Sequence, residues 1–238
     1  ILSLDNEPLA EVSSKNGIRH FTRMVSFIPG MPLGDVKRHS DDLLQSIGSC
    51  LGQIDGAFAD FDHPATHRDF HWDLANALDV VRKYNSLIED PELKKLIKRF
   101  ADRFEQDVVP LFPRLRKSVI HNDANDYNVI VGGGADVYTL NQEVVGIIDF
   151  GDMVYSYTVC EPAIAMAYAV LDKPDPLAAA VHIINGYHKA YPLDENEIAV
   201  LYDLVCMRLC VSACLAAHQI KARPDNKYLA ISQQPIQN

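Results

Sequence analysis

The chain has 238 residues, 48% of them hydrophobic, and a formal charge of −10 from 22 Lys and Arg against 32 Asp and Glu. That is enough chain to bury an ordinary core in one domain, or a domain plus a fragment, and too apolar for a disordered or fibrous protein. The acidic balance repels nucleic-acid backbones and anionic membrane surfaces, so neither is an expected partner, whereas a small cationic substrate is attracted; charge that merely maintains solubility explains the balance equally well.

Ile1–Leu4 and Leu9–Val12 have the composition of short strands. Ile18–Ile28 reads as a longer one, with Phe21, Arg23, Val25 and Phe27 at every second position and Asn16-Gly17 as the hairpin turn before it. Pro29-Gly30-Met31-Pro32 is expected to stop the sheet, and almost everything from there to residue 118 reads as helix. A small β unit, residues 1–32, is thus expected ahead of a helical body, residues 33–238. Ile1 lies in strand-like sequence, which reads as a piece cut from a longer multidomain polypeptide.

In the body, Asp41–Ala59 repeats Leu43, Leu44, Ile47, Leu51, Ile54 and Phe58 at helical spacing behind a Ser40 cap. Trp72–Ile88 and Glu92–Val109 are two further amphipathic helices, the second ended by Pro110 and Pro113. Three short strands follow, Val129–Val131, Val137–Leu140 and Val144–Ile148, the first two joined by Gly132-Gly133-Gly134. That triplet lacks the Lys-Ser/Thr of a P-loop and reads as a turn. Pro162–Leu171, Pro176–Tyr191 with Asp175 at its start, and Asn196–Ala222 close the pattern as helices. No apolar run is read as long enough to span a membrane, and the start lacks a signal-peptide pattern. Five cysteines, odd in number and without paired spacing, point to a reducing compartment, so a cytoplasmic location is expected. Cys206, Cys210 and Cys214 share a helix face, but small apolar Cys is usually just buried and no His joins them at ligand spacing.

Two polar clusters terminate apolar runs. Val119-Ile120 enters His121-Asn122-Asp123-Ala124-Asn125-Asp126-Tyr127-Asn128, and Val144–Ile148 enters Asp149-Phe150-Gly151-Asp152. Phosphoryl transfer needs a base for the attacking hydroxyl and hard oxygens for a divalent metal. Asp123 is the candidate catalytic base, Asn128 and Asp149 the candidate Mg2+ ligands, and His121 a brace for the loop. Residue frequencies alone give such a three-residue pattern somewhere in a chain of this size a few per cent of the time; a nearby Asp-Phe-Gly lowers that to roughly one in ten thousand. The donor is ATP or GTP. Asp126 and Asp152, which adjoin the base, are the candidates to face a substrate ammonium.

His121-x-Asp123-x4-Asn128 followed by Ile148-Asp149-Phe150-Gly151-Asp152, with Glu161-Pro162-Ala163 opening a helix, resembles the aminoglycoside phosphotransferase and choline kinase superfamily. The longer runs IIDFGDMVYSY and EPAIAMAYAVL are similar to its hydroxylysine kinase branch, including forms fused to class-III aminotransferases. The resemblance implies an α+β, protein-kinase-like fold with a mostly helical C-terminal lobe, a small β-hairpin catalytic region and a truncated N-terminal β lobe. In it, 1–32 is a remnant of the nucleotide lobe and hinge, and Phe27 and Ile28 lie behind the adenine. The family usually has Gly at Asn122, a change expected to be tolerated on an ordinary backbone, and Asp at Glu161, which is expected to anchor structure. It also has a glycine-rich loop and a strand Lys for which no room is found before Ile18; Lys15 is a poor substitute. The chain alone is therefore expected to be inactive. The implied reaction is transfer of the γ-phosphate to an alcohol group of an amine-bearing metabolite, first a hydroxylysine-like amino alcohol. Aminoglycoside or choline phosphorylation and a non-catalytic pseudokinase-like domain are the alternatives. His67-Arg68-Asp69 spells the catalytic triplet of protein kinases, but the fifth residue after its Asp is Leu74, no ligand for a metal, so it reads as the approach to a helix.

Overall fold

The computed structural model describes residues 1–134 and 142–222; the expected strand Val137–Leu140 and the tail beyond Pro224 lie outside the described residues. The hairpin forms around Gly17, at φ +75°, and pairs β1 (Ala10–Ser13) antiparallel with β2 (Arg19–Thr22). The expected strand Ile18–Ile28 is thus only four residues long, and Ile1–Leu4 is not a strand. In the continuing register Met24 would face Pro8, which has no N–H to give; the Met24 carbonyl instead accepts the Ile1 amino group at 3.0 Å.

The Pro29–Pro32 segment does not simply stop the sheet. Met31 and Pro32 form β3, which pairs antiparallel with Val131 and Ile130; a proline is tolerated there because the strand is an edge. Gly30 lies so close to the same strand that a Cβ on it would come within 2.6 Å of the Val131 carbonyl.

The helical body begins as expected. Ser40 Oγ accepts the Leu43 N–H at 3.2 Å and starts α1 (Asp41–Phe58), with Asp41 and Asp42 in its first turn. The expected helix Trp72–Ile88 breaks into a 3-10 turn at Leu74–Asn76, α2 (Ala77–Tyr84) and another turn at Asn85–Leu87. Asp73 causes the first break, because its carboxylate accepts the Ala75 N–H at 3.0 Å and caps the chain two residues into the expected helix. Then α3 (Pro91–Arg103), capped by Asp90, runs on into a wider turn, Phe104–Val108.

Four short strands carry the centre of the molecule: β4 (Lys117–Ile120), β5 (Val129–Gly132), β6 (Glu143–Ile147) and β7 (Val154–Tyr157). β4 pairs with β7 and β5 with β6, both antiparallel, and a bulge at Val145 shifts the second register. Ile120 pairs with Val154 and Val129 with Ile147. The loop leaving β4 and the loop leaving β6 are therefore delivered to each other by both ladders.

Behind them stand α4 (Cys160–Ala169), α5 (Pro176–Ala190) and α6 (Glu195–Ala222). With a mean hydropathy of 2.0 in its most apolar 18-residue window, α6 does reach membrane-spanning length and composition, contrary to expectation; 67% of that window is buried inside the protein, which is the setting of a core helix. The five cysteines are free. Burial pushes the Cys206, Cys210 and Cys214 thiols up, Cys214 to about 12. Among the described residues no group of three His, Cys, Asp or Glu is arranged to hold a metal.

The α1–α5 crossing sets the position of α1 behind the two loops, and it depends on glycine. A Cβ on Gly48 would come within 1.8 Å of the Ile183 carbonyl, and one on Gly186 within 2.0 Å of the Gln45 carbonyl. Both obstacles are backbone, so neither can swing away. Gly48→Ala is expected to force the helices apart at a cost of about 1–3 kcal/mol or more, seen as a fall of several degrees in the thermal unfolding midpoint; an unchanged midpoint would contradict the packing.

Candidate active site

β4 is buried at Ser118, Val119 and Ile120, and it delivers His121 into the interior at 0% exposure. His121 Nδ1 accepts the Asp123 N–H at 3.3 Å, so Nε2 carries the proton and donates to the Ile148 carbonyl at 3.0 Å. One ring thus ties the first loop to the second. Phe150 packs edge-on against it, with centroids 4.7 Å apart.

Asn122 departs from the expected ordinary backbone. Its φ is +67°, in the left-handed region where Gly is free and Asn is among the few side chains tolerated. The family's usual glycine therefore answers a real conformational demand. Glu161, in the first turn of α4 and 0% exposed, accepts the Asn122 N–H at 2.8 Å, and Asn122 Nδ2 donates to the Asp152 carbonyl at 3.3 Å.

The turn aims Asp123 into a half-buried position. Asn128 Nδ2 donates to Asp123 Oδ2 at 2.7 Å and to the Asp123 carbonyl at 2.9 Å. With its nitrogen so committed, Asn128 has its amide oxygen left for other partners. Asn125 Oδ1 accepts the Tyr127 and Asn128 N–H groups at 2.8 and 3.2 Å, a side-chain turn that holds the five-residue interval between Asp123 and Asn128. In the second loop Asp149 is exposed, with φ at 64°, and caps the Gly151 N–H at 3.3 Å. It directly follows Ile148, whose N–H donates to the Asn128 carbonyl at 3.0 Å. The chain positions of Asn128 and Asp149 are thus brought side by side.

The other expected site residues divide. Asp152 acts on Asp123 electrostatically. Asp126 turns toward the segment after β3: its carbonyl accepts the Gly34 N–H at 2.8 Å, and its carboxylate faces Asp35 and Lys173. Ile28 packs over Gly146 of β6, where a Cβ would come within 2.7 Å of Ile28 Cδ1. Phe27 is 84% exposed.

Several residues at the site escaped the sequence reading. Arg208 of α6 is 1% exposed and reaches Asp123 Oδ1 at 3.4 Å. It also donates to the Trp72 carbonyl at 2.9 Å and the Tyr168 hydroxyl at 3.2 Å, with its guanidinium 4.6 Å from the Trp72 ring centroid. A lone arginine inside an apolar helix was the available signal. Arg68, from the triplet read as a helix approach, donates to the Gly151 carbonyl at 2.9 Å. Burial pushes the Asp123 carboxyl up and Asp152 adds to this, while Arg208 and Asn125 oppose it.

The donor set fits a hard cation. An amide oxygen on Asn128 and an exposed carboxylate on Asp149 leave most of the coordination shell to phosphate and water, as Mg2+ prefers. A profile of the phosphotransferase enzyme family matches residues 6–195. The chain belongs to that family.

This chain is 32% identical over 235 residues to hydroxylysine kinase of Mus musculus, an alignment covering 94% of this chain and 61% of the relative. It is 30% identical over 239 residues to hydroxylysine kinase of Xenopus laevis, covering 97% and 62%. The chain thus spans less than two thirds of the length of these relatives. In fold it resembles an amicoumacin kinase solved with AMP-PNP and Ca2+, at a TM-score of 0.66 and 16% identity over 100% of this chain and 70% of that one. A microcompartment-associated aminopropanol kinase gives the same TM-score, 0.66, at 18% identity and the same coverage, 100% and 70%. The α+β, protein-kinase-like fold expected from the motifs is the one found.

The left-handed turn at Asn122 can be tested directly. Both Asn122→Gly and Asn122→Ala lose the Asp152 contact, but only alanine bears the left-handed penalty, so Asn122→Ala is expected to be less stable than Asn122→Gly by about 1–2 kcal/mol. Equal urea denaturation curves for the two variants would refute the backbone assignment.

Proposed function

We propose that the protein is the substrate-binding part of a small-molecule kinase that transfers the γ-phosphate of ATP or GTP to an alcohol group of an amine-bearing metabolite. A hydroxylysine-like amino alcohol is the first candidate, by kinship with the hydroxylysine kinases. The observation that carries this reading is the Asp123 carboxylate, half-buried between the Asn128 amide and the Arg208 guanidinium at the meeting of two loops.

In this reading Asp123 accepts or steers the proton of the attacking hydroxyl. Arg208 keeps the carboxylate ionised in a site where burial favours its neutral form. Asn128 and Asp149 hold Mg2+, which when bound offsets the charge that develops on the transferred phosphoryl group. His121 and Glu161 fix the loop that carries the base. Asp126 and Asp152 supply negative charge for the substrate ammonium, and Phe27 and Ile28 line the nucleotide side. Residues 1–32 belong to the nucleotide lobe and hinge and 33–238 to the substrate lobe, within a cytoplasmic polypeptide that includes further domains.

In a coupled assay of the full-length protein against amino alcohols, amino sugars and choline with both nucleotides, a hydroxylysine-like substrate is expected to turn over best. Asp123→Asn is expected to lower kcat about 10²–10⁴-fold. Because the Asp123 carboxyl lies above its ordinary range, kcat/KM should be full at neutral pH and fall, as pH drops, at a midpoint above the usual aspartate value of about 3.9. Removing divalent metal with a chelator should abolish turnover. Undiminished activity in Asp123→Asn would eliminate the proposed role of that residue.

A further inference from the structure

Behind the catalytic loop, on the side away from Asp149, two carboxylates are sealed in the interior. Asp55, in the last turns of α1, and Glu161, in the first turn of α4, are both 0% exposed. Each has one oxygen with a donor: the Tyr187 hydroxyl donates to Asp55 Oδ2, and the Asn122 N–H to Glu161 Oε2 at 2.8 Å. The remaining oxygens, Asp55 Oδ1 and Glu161 Oε1, are buried with no hydrogen-bond partner. Among the described residues no lysine or arginine bonds to either; Arg116, which faces Asp55, is forked onto Glu197 at 2.8 and 2.7 Å. Two adjacent carboxylates without a cation in a dry interior do not both stay ionised.

We propose that Asp55 is a positioning residue for the catalytic loop, holding a proton in the folded protein so that Glu161 alone keeps the negative charge with which it grips the Asn122 N–H. The donors decide which partner holds the proton. Burial pushes the Glu161 carboxyl up as well, but Glu161 faces the backbone N–H groups of Asn122 and His121, which favour its charged form, with Asp123 opposing. Asp55 has only the phenol of Tyr187 and the more distant Arg116, against burial and the charge of Glu161, and lies well above the ordinary aspartate range. Tyr187 is itself kept protonated by burial and Asp55. The neighbouring Cys160 thiol is pushed up by burial and stays neutral. A charged acceptor holds an N–H about twice as strongly as a neutral one, so a proton on Asp55 tightens the turn that aims Asp123.

The inference rests on the kinase reading for its effect on turnover and not for its effect on stability. A carboxyl whose folded pKa is raised binds a proton that the unfolded chain has already released, so the stability it confers is lost as pH rises from about 4 toward the raised value. The wild type is therefore expected to lose urea stability as pH rises from about 4 toward the raised value, and Asp55→Asn, which is neutral at every pH, to lose part of that slope. The alkaline decline of kcat should shrink in the same variant, while Glu161→Gln should lower kcat roughly tenfold with KM little changed. Infrared spectra of the wild type at neutral pH should contain the C=O stretch of a protonated carboxylic acid, a measurement that requires no variant to fold. An unaltered stability slope in Asp55→Asn, or absence of that band, overturns the proposal. Failure of the full-length protein to phosphorylate any substrate would sink the kinase reading and leave the stability and infrared results standing.

Discussion

The hydrogen bond from the Asn122 N–H to Glu161 fixes the direction of the loop on which the site depends. It runs from a backbone turn in the left-handed region to a fully buried carboxylate on another element, 39 residues away in sequence. Together with the Asp123 N–H to His121 Nδ1 bond and the Asn122 Nδ2 bond to the Asp152 carbonyl, it holds the sharp reversal between His121 and Asp123. The two antiparallel ladders supply the rest. They end at matched positions, so one loop leaves each ladder toward the other, and His121 locks the pair through the Ile148 carbonyl.

Burial creates a tension that the packing resolves unevenly. Asp123, Glu161, Asp55 and Asp73 all lie in the interior or at its edge, and burial pushes each carboxyl up. One buried cation, Arg208, answers Asp123 directly, and hydroxyl donors from Ser156 and Tyr187 answer Asp73 and Asp55. Among the described residues Arg208 is the fully buried arginine, and it lies on the candidate base, whereas Asp73 and Asp55 are met by neutral hydroxyls. That allocation is what a site built to keep one particular carboxylate ionised requires.

Local signals were legible in the sequence. Ser40 and Asp175 cap helices where a polar residue precedes an apolar repeat, and the strands flanking both polar clusters follow from their apolar runs. The contact between Asp123 and Asn128 was legible as a spacing. What escaped was long-range. Arg208 meets Asp123 across 85 residues; its place in an apolar helix marks it as unusual but does not name its partner. In α1 the periodic reading favoured Ile54 and Phe58, yet Asp55 is the fully buried residue of that turn, because its partners Tyr187 and Glu161 come from α5 and α4. The helix expected over Trp72–Ile88 failed where Asp73 competes for the backbone. The long apolar run of α6 was underestimated because its charged residues distract from the composition between them.

The guanidinium of Arg208 has a consequence for how the molecule opens. It touches the loop of Asp123, the Trp72 carbonyl and the Tyr168 hydroxyl, so three segments distant in sequence converge on one side chain of α6. Loosening any of them strands a fully buried positive charge. The loop bearing the candidate base therefore belongs to the same cooperative unit as the core helix behind it, and its amides should exchange with solvent only through openings large enough to displace α6.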